Sequence, residues 1–315
     1  MNSIVETASA TGRGTAIRID CVLCPVDFSE VSEKAYRYAQ SIACHYRAKL
    51  ILQHVVELWQ HSEGDFVARP EYFDEFRGAL ICKAEAQLHD LANVSGAFRP
   101  ECVVEEGRAA DAILALARTR AVSLVVMGTH GRRGFDHFML GSVTERVLRH
   151  APCPVLAIPG KRGDENGNGT GADYIRRILC CVDFSEHSRS ALAHATSVAS
   201  AYCADLTVLH VLHDISGSAD VGKETNACLN QLQKLVPSSA LDPARLHLEV
   251  CLGKAYREIL DLTAETQSDL IVTGVRGRNS LDLAIYGSTT YRVIQLHPGP
   301  VLTVPITQPE SAAHS

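Results

Sequence analysis

The spacing Gly128-x2-Gly131-x9-Gly141-Ser142 recurs in this chain as Gly274-x2-Gly277-x9-Gly287-Ser288, each copy directly after an apolar run. Glycines at such positions can adopt backbone conformations closed to other residues and let N–H groups approach an anion. Gly141-Ser142 precedes Val143-Thr144-Glu145-Arg146-Val147-Leu148, an amphipathic helical pattern. The unpaired N–H groups and positive dipole end of that helix suit phosphate oxygens, with the Ser142 hydroxyl as a further donor. Upstream, Val26-Asp27-Phe28-Ser29-Glu30 returns as Val182-Asp183-Phe184-Ser185-Glu186. The Asp27 carboxylate accepts hydrogen bonds and repels phosphate, so it suits a ribose hydroxyl or a base amino group. A plainer reading has Asp27 capping a helix and the glycines shaping loops; retention of both signatures at matched positions in both halves argues against it.

The two signatures belong to a duplicated domain. Ile19 to Glu30 matches Ile175 to Glu186, and His54-Val55 matches His210-Val211 at the same offset of 156. From Gly107, matched to Gly253, the offset falls to 146, so the second half is ten residues shorter in between. In the first half that interval holds Pro70 to Asn93, read as a longer helical segment. Between the halves, residues 160–173 are polar and glycine-rich and cannot bury enough apolar surface to order themselves. The expected organisation is a flexible tail over 1–16, domains over 17–159 and 174–306 joined by a flexible linker over 160–173, and a second tail over 307–315.

Within each half, short apolar runs alternate with amphipathic stretches. Strands are expected at Cys21–Val26, Lys49–Val55, Glu101–Glu105, Leu124–Met127 and Val155–Ile158, with counterparts at Ile178–Val182, Asp205–Val211, His247–Cys251, Leu270–Thr273 and Val301–Val304. Helices begin after Ser29, near Pro70, at Asp111 and after Gly141. Ser29 is a natural N-cap, and Glu30 and Glu33 fall in the first turn, where the dipole favours acid. This alternation predicts an α/β fold of two tandem open five-stranded parallel sheets, Rossmann-like in order 3-2-1-4-5, with helices on both faces. In that order the strands ending at Asp27 and Gly128 are neighbours astride the reversal, where such sheets bind ligands.

The net charge of −6 offers no footprint for nucleic acid or an anionic membrane. No segment approaches the ~20 apolar residues that span a bilayer. The polar stretch Met1 to Ala16 lacks the apolar core of a signal peptide, so a cytoplasmic protein is expected. The 11 cysteines fit reduced thiols rather than a disulfide framework. Cys21-x2-Cys24 lies in a strand, where residues three apart face opposite ways and cannot chelate one ion.

Met127-Gly-Thr-His-Gly-Arg132, with Gly141-Ser-Val-Thr-Glu-Arg-Val-Leu-Arg-His-Ala-Pro-Cys-Pro-Val-Leu156, closely resembles the ending of universal stress protein domains. Pro25-Val-Asp-Phe-Ser29 resembles that family's opening. The resemblance implies bound ATP, with Mg²⁺ held through its phosphates. It puts Val26, Asp27, Val55, Met127 and Gly128 around the adenosine, and Gly131, Gly141, Ser142 and Val143 at the phosphates. The matching second-half positions are Val182, Asp183, Val211, Thr273, Gly274, Gly277, Gly287, Ser288 and Thr289. That half departs at Tyr291 for Glu145, Arg276 for His130 and His297-Pro-Gly-Pro300 for Ala151-Pro-Cys-Pro154. The family also pairs domains through the last strand, so the apolar Val155-Leu-Ala-Ile158 and Val301-Leu-Thr-Val304 suggest pairing of the two halves within one chain, with a homodimer as a further arrangement.

Three functions compete: a nucleotide-dependent regulatory or stress-response module, a slow ATPase or phosphotransferase using the same loops, and an interaction scaffold that keeps the loops for folding. No Walker A lysine is present to steady transferring phosphoryl charge. His130 has no neighbouring acid or nucleophile in the sequence, so it reads as a polar loop position rather than a catalyst. The binding module leads, with up to two nucleotides per chain.

Overall fold

The computed structural model describes residues 17–58, 70–93, 99–131, 140–160, 175–213, 220–236, 241–275 and 287–306. The first half runs β1 (Cys21–Pro25), α1 (Glu30–Tyr46), β2 (Lys49–Val56), α2 (Pro70–Asn93), β3 (Glu101–Glu106), α3 (Ala109–Thr119), β4 (Leu124–Gly128), α4 (Ser142–His150) and β5 (Val155–Ile158). The second half repeats it as β6 (Arg177–Cys181), α5 (Glu186–Tyr202), β7 (Asp205–Leu212), α6 (Val221–Leu235), β8 (Leu246–Leu252), α7 (Ala255–Thr266), β9 (Leu270–Gly274), α8 (Ser288–Leu296) and β10 (Val301–Val304). The helix that differs is the one in the interval of unequal length: α2 has 24 residues and α6 has 15. α3 starts at Ala109, two residues before the expected Asp111, because Glu57 accepts from the Ala109 N–H and anchors the turn there.

Each half forms the expected 3-2-1-4-5 parallel order. The two five-stranded units are joined edge to edge: β5 and β10 pair antiparallel, with Leu156 opposite Leu302 and Ala157 opposite Val301. The result is a single ten-stranded sheet, β3-β2-β1-β4-β5-β10-β9-β6-β7-β8. Pairing the two apolar edges satisfies backbone groups that neither strand could leave open beside a buried core.

The strands are apolar on both faces because both faces are covered. One core lies under α1, α2, α5 and α6 and contains Leu50, Leu52, Leu156, Leu206 and Leu302. The other, under α3, α4, α7 and α8, contains Leu23, Ile51, Val125, Ile271 and Val301. Each core draws residues from both halves, so no apolar boundary separates them. At the outer surface of the joint, the His45 ring stacks on Tyr202 at 4.0 Å.

Cys21 and Cys24 point into opposite cores, as strand alternation requires. All cysteines are free; Cys21, Cys24, Cys153 and Cys180 are buried, whereas Cys44, Cys82 and Cys203 are exposed. Burial pushes the Cys153 thiol up to about 12.

Candidate functional site

The end of β1 is fixed by a short web of hydrogen bonds. Asp27 Oδ1 accepts from the Ser29 N–H at 3.1 Å and from Ser29 Oγ at 2.6 Å. Ser29 caps α1, accepting from the Ser32 N–H, while Ser32 Oγ accepts from the Ser29 N–H in return. Between them Phe28 sits at φ 60°, a left-handed backbone that is strained for a bulky aromatic residue. What holds it there is visible: its ring lies 4.5 Å from that of His54, and His54 Nδ1 is 2.8 Å from the Val26 carbonyl. The tail of β1 is thus clamped to β2 by one aromatic pair.

Opposite lies the end of β4. A Cβ at Gly128 would stand 2.8 Å from Val31 Cγ1, so only glycine lets this strand end pack on the start of α1. The Gly141 N–H donates to the Thr129 carbonyl at 2.8 Å, and Thr144 Oγ1 donates to the Gly128 carbonyl at 2.8 Å. These two bonds pin the start of α4 to the strand. Gly141 is the N-cap of α4 and provides no side-chain cap, so the first N–H groups of that helix face outward past exposed Ser142. A Cβ at Gly131 would lie 2.5 Å from Asp27 Oδ2, which brings the acid and the loop to one place.

Val26, Asp27, Val55, Met127, Gly128, Gly131, Gly141, Ser142 and Val143 all line one cavity of about 980 Å³. That size is at the upper end of small-molecule sites, and the cavity opens where the strand order reverses. Sequence reasoning overlooked further lining residues, among them Phe28, Gln53, His54 and Lys83. Phe28 and His54 carried a readable signal, since both recur, as Phe184 and His210. Lys83 comes from α2, the helix that differs between the halves, and the duplication offers no guide to it. His130 is held by its neighbour, with Nδ1 2.8 Å from Thr129 Oγ1.

The second half rebuilds the same frame. Asp183 Oδ1 accepts from the Ser185 N–H and Oγ, Phe184 sits at φ 63°, and His210 Nδ1 lies 2.7 Å from the Val182 carbonyl. Gly274 packs on α5 as Gly128 does on α1, its Cβ position 2.9 Å from the backbone of His187. Thr290 Oγ1 donates to the Gly274 carbonyl at 3.1 Å. Val211 is the penultimate residue of β7, and Gly287 is the N-cap of α8, which Ser288 and Thr289 open with no side-chain cap. Thr273, in place of Met127, is buried with its hydroxyl 3.3 Å from that of Thr290. Gly277 and Arg276 lie outside the described residues.

The His297 substitution has a structural consequence. The side chain is 5 % exposed, and burial lowers its pKa to about 4. A Cβ on Gly299 would come 2.6 Å from His297 Nε2, so the bulkier ring and the glycine in His297-Pro-Gly-Pro300 belong together.

A five-stranded 3-2-1-4-5 unit, repeated, with an acid after the first strand of each half and, in the first half, a glycine loop meeting that acid at the reversal, defines a tandem α/β protein. The universal stress protein family model matches residues 19–159 and again 175–305, and the chain belongs to that family. A universal stress protein of Mycolicibacterium smegmatis is 25% identical over 292 residues, covering 90% of this chain and 96% of the relative. One from Thermus aquaticus is 30% identical over 137 residues, 44% of this chain and 96% of the relative, as expected for a single-domain member. Among solved structures, a universal stress protein from Archaeoglobus fulgidus has the same fold, with a TM-score of 0.67 at 23% identity over 92% of this chain and 97% of that one. No helix among the described residues is long and apolar enough to cross a membrane.

Proposed function

We propose that this protein is a cytoplasmic, ATP-binding regulatory module in which nucleotide occupancy alters conformation or partner affinity. The observation that carries the reading is the convergence of Asp27 and Gly131 at the mouth of a cavity lined by all nine first-half positions. Adenosine is assigned to the ends of β1, β2 and β4, against Val26, Val55 and Met127, with Asp27 accepting from its hydroxyl groups. The phosphates are assigned to Gly131, Gly141 and the outward N–H groups of α4, where the helix dipole favours negative charge. Mg²⁺ enters on the phosphates rather than on a side-chain cage. Val182, Asp183, Val211, Thr273, Gly274, Gly277, Gly287, Ser288 and Thr289 form the corresponding second site, so up to two nucleotides bind per chain.

Domains over 17–159 and 174–306 are the repeated units of this reading. Their β5–β10 pairing takes the place of the contact through which single-domain chains would dimerise. The test is a mass spectrum of small molecules released by denaturing the purified protein. ATP recovered at one to two equivalents supports the reading. Protein that releases no nucleotide and takes up none on incubation with ATP and Mg²⁺ sinks it.

A further inference from the structure

Strand β2 reads Lys49-Leu-Ile-Leu-Gln-His-Val-Val56, and one residue in it is out of place. Gln53 is 0 % exposed, in the middle of a parallel sheet. By alternation it shares a face with Ile51, toward the core under α3 and α4. A primary amide buried there costs free energy unless its groups are met.

Half of it is met. Gln53 Nε2 donates to Glu105 Oε2 of β3 at 2.5 Å. An ionised carboxylate only accepts, so the partner fixes the amide's orientation and the nitrogen cannot exchange places with the oxygen. Gln53 Oε1 is buried and has no hydrogen-bond partner among the described residues, and the side chain lines the first-half cavity. The second half shows that the fold does not need this arrangement. Leu209 stands where Gln53 does, 1 % exposed, and Cys251 stands where Glu105 does. The same strand pair is built there with apolar and weakly polar side chains.

We infer that Gln53 Oε1 is an acceptor for an N–H group of the ligand in the first-half cavity, and that Glu105 is a positioning residue that turns the acceptor toward it. The inference rests on the nucleotide reading, and within it the group recognised is the exocyclic amino group of the base. The two sites therefore differ in base selectivity: the first demands a donor, and the second, with Leu209, does not.

The test compares ATP with purine riboside triphosphate, which differs only in lacking the amino group, by calorimetric titration into the full chain. In the wild type the first-half site prefers ATP by about tenfold, the cost of a buried acceptor left unmet. Gln53→Leu, which copies the second half, brings that ratio close to one. Glu105→Gln lowers it as well, because an amide partner accepts either orientation of Gln53; a merely structural role for Glu105 would change stability and leave the ratio alone. Should Gln53→Leu not fold, Glu105→Gln carries the test unaided. An unchanged ratio with ATP still bound overturns the role of Gln53 and leaves the nucleotide reading standing. Failure of the folded wild type to bind either compound overturns both.

Discussion

A Cβ atom at Gly131 would lie 2.5 Å from Asp27 Oδ2, although the two residues are 104 positions apart in the chain. They are close because β1 and β4 are neighbours at the strand-order reversal. Gly131 itself is exposed, so a larger residue there disturbs the mouth of the cavity and not a core. Gly131→Val is expected to leave the melting temperature of the free protein nearly unchanged. It should weaken ATP at the first site by more than tenfold, and so reduce the upward shift of melting temperature that saturating ATP gives the wild type.

Asp27 has two duties that a pair of variants separates. Asp27→Ala removes the acceptor for the Ser29 N–H and hydroxyl and should destabilise the chain by about 1 kcal/mol. Asp183→Ala should cost a similar amount, since the second web is the same. Only the first variant should weaken adenosine binding in the first half, while binding of inorganic triphosphate there stays unchanged. Denaturant titrations and competition with adenosine check both statements.

His297 gives the protein a defined acid sensitivity. Its folded pKa of about 4 lies below the ordinary value of 6.5, because burial disfavours the charged ring. Between those values the unfolded chain binds the proton and the folded chain does not, so stability falls as pH drops from about 6.5 to about 4. The loss over the full window is about 3 kcal/mol. Denaturant unfolding at pH 7 and pH 4.5 should show this fall in the wild type and a smaller one in His297→Leu.

Because both cores run through both halves, the chain should unfold as one unit. Leu302 of β10 is 6 % exposed and faces Leu156 across the antiparallel joint. Leu302→Ala should cost about 2–4 kcal/mol. Near-ultraviolet circular dichroism and intrinsic fluorescence should give coincident transitions before and after the substitution; two separated transitions in the wild type would contradict a shared core.

The strand order and much of the lining of the first-half cavity were legible because the chemistry was written twice. A glycine spacing and an acid repeated at fixed offsets survive any error in placing a helix end. Features without a partner copy were harder to read. Gln53 looks like one polar residue in an apolar strand, and only the position of Glu105 on the neighbouring strand shows where its amide points. Lys83 reaches the cavity from α2, the helix whose length differs between the halves. Phe28 is different again: its repetition as Phe184 was plain, but that both sit at positive φ follows from the local Asp–Ser web together with the histidine clamp, a contact across strands. The start of α3 was displaced by Glu57, a residue more than fifty positions upstream.

The central claim is that the first-half cavity holds ATP between Asp27 and the Gly131–Ser142 loop. Isothermal titration of ATP with Mg²⁺ into nucleotide-free wild type and Gly131→Val tests it most directly. Saturable binding in the wild type and loss of the first-half component in the variant are expected. Indistinguishable titrations for the two proteins, or no heat of binding in the wild type, would contradict it.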